Sequence, residues 1–462
     1  MRSLAAPRWV LLGMALVLGA LPLTACRSTS SHSCRRAAAE VLTWLEHTRL
    51  ETPRGVAWAA NPAAPQGPNR TLYSGSPGVL LFLLEHGVAE GDRRALELAR
   101  RTADDLSATL PPRLEGEASG LYTGVAGVGC ALLEAGRLLR DERYKSAART
   151  CVGLLVESAK PVGAGIEWNG IHDVIAGSAG TGLFLLRASE ALGRSDALEL
   201  AHRTARRLVE VAVRERGGLR WPMSATYARN LPNFSHGTAG ICYFLAVTAQ
   251  ATDDRALLDA AISGARYLCS VADRSDGGFR VFHADPDGLD RYYLSWCHGP
   301  AGTARLFRAL HDATGDPEWL ELEAAALHTI LTSGLPRVRS SGFWNNVGQC
   351  CGSAGIAEML LAQSRLRRLP GAHALAGELT ADLLERATVD EHGRRWRHAE
   401  HRVKPELLSE QTGYAQGAAG IGLWLRRWIC DLEDRRTAVS LPDDPYSDSY
   451  RSSRGKKPRS AP

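Results

Sequence analysis

Seven times between residues 75 and 420 the chain returns to one short pattern, Gly-x-x-Gly followed by a run of small and apolar residues. The copies are Gly75-Ser76-Pro77-Gly78, Gly124-Val125-Ala126-Gly127, Gly177-Ser178-Ala179-Gly180, Gly237-Thr238-Ala239-Gly240, Gly299-Pro300-Ala301-Gly302, Gly352-Ser353-Ala354-Gly355 and Gly417-Ala418-Ala419-Gly420. They stand roughly 50 to 65 residues apart, a period that holds two helices and their connections. The segments between them, for example Asp92 to Leu106 and Asp254 to Ala272, are rich in Ala, Leu and Arg with apolar residues at three and four spacing. Several open on Asp as an N-cap, so they read as amphipathic outer helices. The run after each glycine pair, such as Val79-Leu80-Leu81-Phe82-Leu83-Leu84, is more uniformly apolar and fits an inner helix packed on all sides. The expected fold is all-α: a closed toroid, or α/α barrel, of about seven inner and seven outer helices. The glycine turns gather at one end of the inner ring, where they let backbone turn tightly and neighbouring helices approach closely.

Residues flanking these turns face a common cavity mouth, so differences between repeats should report function. The first two repeats offer the bland pairs Tyr73-Ser74 and Tyr122-Thr123, and the last Tyr414-Ala415-Gln416. The third to sixth offer His172-Asp173, Asn233-Phe234-Ser235-His236, Trp296-Cys297-His298 and Cys350-Cys351. Three cysteines, Cys297, Cys350 and Cys351, in two Gly-flanked turns look like three ligands of one metal. Zn²⁺ favours soft thiolates, and a catalytic zinc takes three protein ligands with the fourth position open. A Cys297–Cys350 or Cys297–Cys351 disulfide, or three inert core thiols, are the alternatives that spacing leaves open. Cys130, Cys151, Cys242, Cys269 and Cys430 sit in apolar helical patterns and read as core residues.

Ten cysteines in 462 residues fall well short of a disulfide scaffold. A formal net charge of +5, spread along the chain, gives no case for a nucleic-acid partner. The first 25 residues read as an export signal: Arg2 and Arg8 form a basic start, Trp9 to Leu21 an apolar stretch too short for a comfortable span. Leu23-Thr24-Ala25-Cys26 resembles a bacterial lipobox, which implies lipidation of Cys26 and an exported, membrane-anchored protein, periplasmic or on the outer-membrane side. A plain signal peptide or a misplaced start is the competing explanation. Residues 26–36 would be a polar tether, 37–435 the helical domain, and 436–462 a disordered polar tail.

With seven Gly-x-x-Gly turns, Trp-Cys-His-Gly in the fifth and Cys-Cys-Gly in the sixth, the sequence resembles the lanthionine synthetase C-like family over about residues 37 to 435. These are zinc-dependent lanthipeptide cyclases and their eukaryotic relatives. The resemblance implies a double ring of helices with zinc on Cys297, Cys350 and Cys351, the last standing where the family has His or, in some synthetases, a third Cys. It implies catalytic roles for Asp173 and His236, and places His298 beside the first metal ligand, where the family has Tyr or His. Some cyclases carry an Arg four residues before that Cys. Here Tyr293 stands there, and Arg291 lies two residues earlier as the nearest substitute.

The implied reaction is Michael addition of a thiol to dehydroalanine or dehydrobutyrine, closing a thioether. No kinase or dehydratase signature accompanies the domain, so its partner would be a peptide or protein already dehydrated. The chain is expected to act as a monomer. A lipid-anchored zinc-binding scaffold for peptides, without catalysis, is a second reading. A glycoside hydrolase on the same toroid is a third, weakened because it needs paired carboxylates and only Asp173 lies in the turns, with Glu167 outside them.

Overall fold

The computed structural model describes residues 29–115, 118–227, 229–338, 346–399 and 406–447. Fourteen α-helices run through them. Seven begin directly after the first glycine of each repeat: α2 (Ser76–Glu90), α4 (Val125–Leu138), α6 (Ser178–Leu192), α8 (Thr238–Thr252), α10 (Pro300–Thr314), α12 (Ser353–Arg367) and α14 (Ala418–Leu432). Each packs on the next to form a closed inner ring. Outside it lie α1 (Ser31–Thr48), α3 (Arg93–Ala108), α5 (Glu142–Ser158), α7 (Ser195–Glu210), α9 (Arg255–Val271), α11 (Glu318–Leu331) and α13 (Pro370–Glu385). The expected toroid is therefore present, and the apolar patterns explain it. In α2 every residue from Ser76 to Gly87 is buried, whereas α3 buries one stripe built on Ala95, Leu98, Ala99, Thr102 and Leu106.

Six inner helices pair with the outer helix that follows them, whereas α14 pairs with α1, from far earlier in the chain. Asp92, Asp141 and Asp254 cap α3, α5 and α9 as expected, each accepting from N–H groups of the first turn. Helix α1 starts at Ser31, capped by Ser30, and Cys34 is buried. The stretch expected to tether the domain up to residue 36 is thus helical in its second half. Residues 1–28, with the expected signal and Cys26, lie outside the described residues. Among the described residues no helix is long and apolar enough to cross a membrane.

Two devices unforeseen in the sequence fix the outer and inner layers. Short hairpins follow α1, α5, α7 and α13: β1 (Leu50–Thr52) with β2 (Gly55–Ala57), β3 (Lys160–Val162) with β4 (Gly165–Glu167), β5 (Val213–Glu215) with β6 (Gly218–Arg220), and β7 (Thr388–Asp390) with β8 (Gly393–Arg395). A fifth pair joins β9 (Arg397–Ala399) to β10 (Leu408–Glu410). A tryptophan comes straight after each of the first four hairpins. The indoles of Trp58, Trp168, Trp221 and Trp396 donate to the carbonyls of Leu45, Leu155, Leu208 and Leu383 at 2.6–2.9 Å, in each case 13 residues back on the preceding outer helix. Buried indole N–H groups need such a partner.

At the mouth, the residues two before each first glycine form a cyclic belt of backbone hydrogen bonds. Tyr73 N–H donates to Tyr122 (2.9 Å), Tyr122 to Ile175 (2.9 Å), Ser235 to Cys297 (3.0 Å), Cys297 to Cys350 (3.1 Å), Cys350 to Ala415 (2.8 Å) and Ala415 back to Tyr73 (2.9 Å). One link is shifted: Val174, rather than Ile175, donates to Ser235 (3.2 Å). The glycines serve this crowding. The first ones are extended, Gly299 at φ −172°, a conformation any residue adopts. At Gly302 a β-carbon would fall on the carbonyl oxygen of Trp296 in its own turn and press on the Phe234 side chain of the preceding one.

The segment from 437 to 447 departs from the expected disordered tail: it is laid into the middle of the ring. Glu85 accepts from the N–H groups of Ala438 (2.8 Å) and Val439 (2.7 Å), and Arg187 donates to Ser440 Oγ (3.2 Å). Tyr243 donates to the Pro442 carbonyl (3.4 Å), Arg305 to that of Asp443 (2.7 Å), and Tyr446 to Glu323 (3.0 Å). A seven-helix ring leaves a hollow its own side chains do not close, and the inner helices carry charges into it. Its filler is polar because its partners are, so low apolar content misleads here. Residues 448–462 lie outside the described residues.

Candidate metal centre

The belt explains the site. Cys297 and Cys350 are adjacent links, and Cys351 follows Cys350 by one residue, so two turns far apart in sequence deliver three sulfurs to one point. Cys297 Sγ lies 3.4 Å from Cys351 Sγ, which lies 3.3 Å from Cys350 Sγ, and all three sulfurs fall within 4.8 Å of one another. No disulfide joins them, and all are buried. Burial opposes ionisation of Cys297, yet hydrogen bonds from Cys350 and Cys351 outweigh it and hold its thiol well below the usual range. The hydrogen bond to Cys297 pushes the Cys350 thiol up, and burial together with Cys297 does so for Cys351.

Three thiolates tetrahedral about one zinc would stand about 3.8 Å apart, given a Zn–S bond near 2.3 Å. Opening the cluster by a few tenths of an ångström meets that, so the donor set fits the ion in number, kind and spacing. Two hydroxyls already face the sulfurs. Ser295 Oγ is 3.3 Å from Cys297 Sγ, and Tyr73, held by Gln416 Nε2 (2.8 Å), donates to Cys350. Neither had been singled out, although Tyr73 and Gln416 occupy the same places in their turns as Cys297 and Cys351 in theirs.

Beside the cluster, His236 Nδ1 is 2.6 Å from Asp173 Oδ2. The other Asp173 oxygen accepts from Ala176 N–H (2.8 Å) and Gly177 N–H (2.9 Å), tightening its own turn, and this is the turn where the belt slips by one residue. Asp173 is therefore both a turn cap and the anchor of His236. Desolvation disfavours the imidazolium, but the hydrogen bond and charge of Asp173 more than offset it, Cys297 adding to them, and the affinity of His236 for a proton is raised. The ring is one-third exposed to the mouth and stands 5.8 Å from that of His298.

His298, next to Cys297, packs edge-on against His283 (4.5 Å between ring centres), which in turn meets Tyr293 (5.1 Å). Arg291 does not join the group. It is exposed, and its carbonyl accepts from His283 N–H (2.8 Å). His172 is turned away, its Nδ1 bonded to the Pro222 carbonyl (2.8 Å).

Residues 68–441 match the family described as lanthionine synthetase C-like protein. The chain belongs to that family. Among solved structures, the lanthionine synthetase C-like chain resembles nisin cyclase with a TM-score of 0.56 at 18% identity, over 88% of its own length and 98% of the cyclase's. A glycoside hydrolase family 76 mannosidase from Bacteroides thetaiotaomicron VPI-5482 shares the toroid at a TM-score of 0.50 and 10% identity, over 87% of this chain and all of that one (100%). At such identities these likenesses concern the fold. No curated protein matches the sequence closely enough to count as a relative. Membership extends to residue 441, into the segment that fills the ring and past the expected domain end at 435.

Proposed function

We propose that the protein is a zinc-dependent thioether-forming enzyme, which adds a thiol to dehydroalanine or dehydrobutyrine in a dehydrated peptide or protein. The observation that carries this is the convergence of three sulfurs at the mouth beside an Asp-anchored histidine. Cys297, Cys350 and Cys351 would hold zinc and leave its fourth position to the substrate. Bound there, the ion would supply the positive charge that turns a thiol into a thiolate at neutral pH. Ser295 and Tyr73 would steady the protein sulfurs by donating to them.

His236 then does the proton work. His236 first takes the proton of the incoming thiol; as the freed sulfur bonds to the β-carbon, the alkene electron pair moves onto the α-carbon and carbonyl, and the imidazolium returns that proton to the α-carbon and is neutral again. Asp173, bonded to the far ring nitrogen, favours the charged ring and sets its orientation. His298 and His283 wall the same side of the site.

A peptide-binding zinc scaffold without catalysis is the second reading, and the exposed side chain of Arg291 favours it. For glycosidase chemistry, the second carboxylate in view, Glu167, sits on β4 and accepts from Arg207 (3.2 Å).

The test combines metal content with turnover. Purified protein should hold one zinc and join a cysteine-bearing dehydroalanine peptide, and the Cys350→Ala, Cys351→Ala double variant should lose both. Zinc without turnover would leave the scaffold; no zinc and a Cys297–Cys351 disulfide would remove both zinc readings.

Export and anchoring through Cys26 belong to the same proposal. Arg35, in the first turns of α1, bonds Glu90 (3.2 Å) and Glu433 (2.5 Å) at the C-terminal ends of α2 and α14. The start of α1 thus lies at the end of the toroid opposite the mouth. Cys26→Ser should move the protein from the membrane fraction to the soluble one.

A further inference from the structure

The filler segment 437–447 reaches the floor of the metal centre. Asp443, 1% exposed, accepts from the indole Nε1 of Trp296 (3.1 Å), the residue directly before Cys297. The same carboxylate takes Arg305 Nη1 (3.2 Å), which also donates to the Asp443 carbonyl. Trp296 is wedged between Tyr122 (5.3 Å between ring centres) and Phe234 (5.7 Å), so its indole has one place to sit. Cys297 follows Trp296 directly. Its belt bonds come from Ser235 and Cys350 on either side, and Ser295 approaches from its own turn.

From this chain of contacts we propose that Asp443 is a positioning residue for the thiolate cluster: it fixes the Trp296 indole from beneath, and with it the direction in which Cys297 presents its sulfur to Cys351. The C-terminal segment is then a working part of the site rather than a passive filler. The proposal rests on the metal-centre reading, and it also makes a claim about the sulfurs that needs no metal.

The experiment uses full-length protein and three variants. Asp443→Leu removes the acceptor, Asp443→Asn keeps one for the indole, and Glu85→Gln weakens the segment's hold on the ring at Ala438 and Val439, away from Trp296. Zinc affinity is read by chelator competition, fold by melting temperature. In metal-free protein, the rate at which a diazene oxidant closes a Cys297–Cys351 disulfide is read as well, two thiols losing two electrons and two protons to the diazene.

Asp443→Leu should weaken zinc binding about tenfold or more, the scale of lost outer contacts, and slow disulfide closure several-fold. Asp443→Asn should restore most of both. Glu85→Gln should lower the melting temperature while leaving both readouts near wild type. Equal losses in Asp443→Leu and Glu85→Gln, tracking melting temperature, would overturn the proposal in favour of plain structural support. Wild type without zinc would overturn the metal-centre reading alone; the closure rates would still decide whether Asp443 positions Cys297.

Discussion

The two ends of the inner ring use polar residues in opposite ways. At the mouth, short side chains on the turns before the helices, Cys297, Cys351, His236 and Asp173, gather protons and charge beside a cleft. Deeper in, long side chains from the helices themselves, Glu85, Arg187, Arg305 and Glu358, are neutralised against residues 437–447 and one another. The inner helices need no side-chain caps, because their first N–H groups are taken by carbonyls of the preceding turn, as Ser353 N–H by Asn346 (2.9 Å). Turn residues are thereby freed for chemistry. Helix-interior charges have no such freedom, since each must be paired to be buried at all.

If that contrast holds, the largest effect comes from the centre. Arg305→Leu strands the Asp443 carboxylate and should cost about 3–5 kcal/mol in denaturant unfolding; a cost under about 1 kcal/mol would erase the contrast. His236→Ala should leave fold and zinc content alone and lower thioether formation about a hundred- to a thousandfold, measured with a dehydroalanine peptide. Loss of fold instead would make the mouth structural too. Trp168→Phe, which removes one indole bond at the periphery, should cost about 1 kcal/mol and leave turnover unchanged.

The smallest effect is also the sharpest. Because Asp173 raises the proton affinity of folded His236, the stability their pair contributes is fully present below the unfolded histidine pKa near 6.5 and is lost as pH rises through the raised folded value. The melting-temperature gap between wild type and Asp173→Asn, which keeps the turn cap, should be widest in mild acid and close toward alkaline pH. A gap independent of pH would reduce Asp173 to its cap.

Much of this was legible in the residues. Seven glycine motifs gave the ring, and the three cysteines were expected to meet because their turns share one end of it. Tyr73 and Gln416 were missed because a turn residue without a metal or proton role looks bland until its hydroxyl is seen against Cys350. The Leu-to-Trp bonds over 13 residues were missed because helix periodicity ends before the hairpin and the indole lies beyond it. Arg291 was carried over on nearness in sequence, whereas the fold puts Tyr293 and His283 behind His298. The last segment was misjudged because a search for apolar burial does not register a strand of backbone buried by ion pairs.

Ring closure has a consequence in time. The first described helix fills the last gap, against α14, and the last segment fills the centre. While the chain is being made, α1 must wait for a partner nearly four hundred residues further on, so the wall of the ring cannot close before α14 has been made.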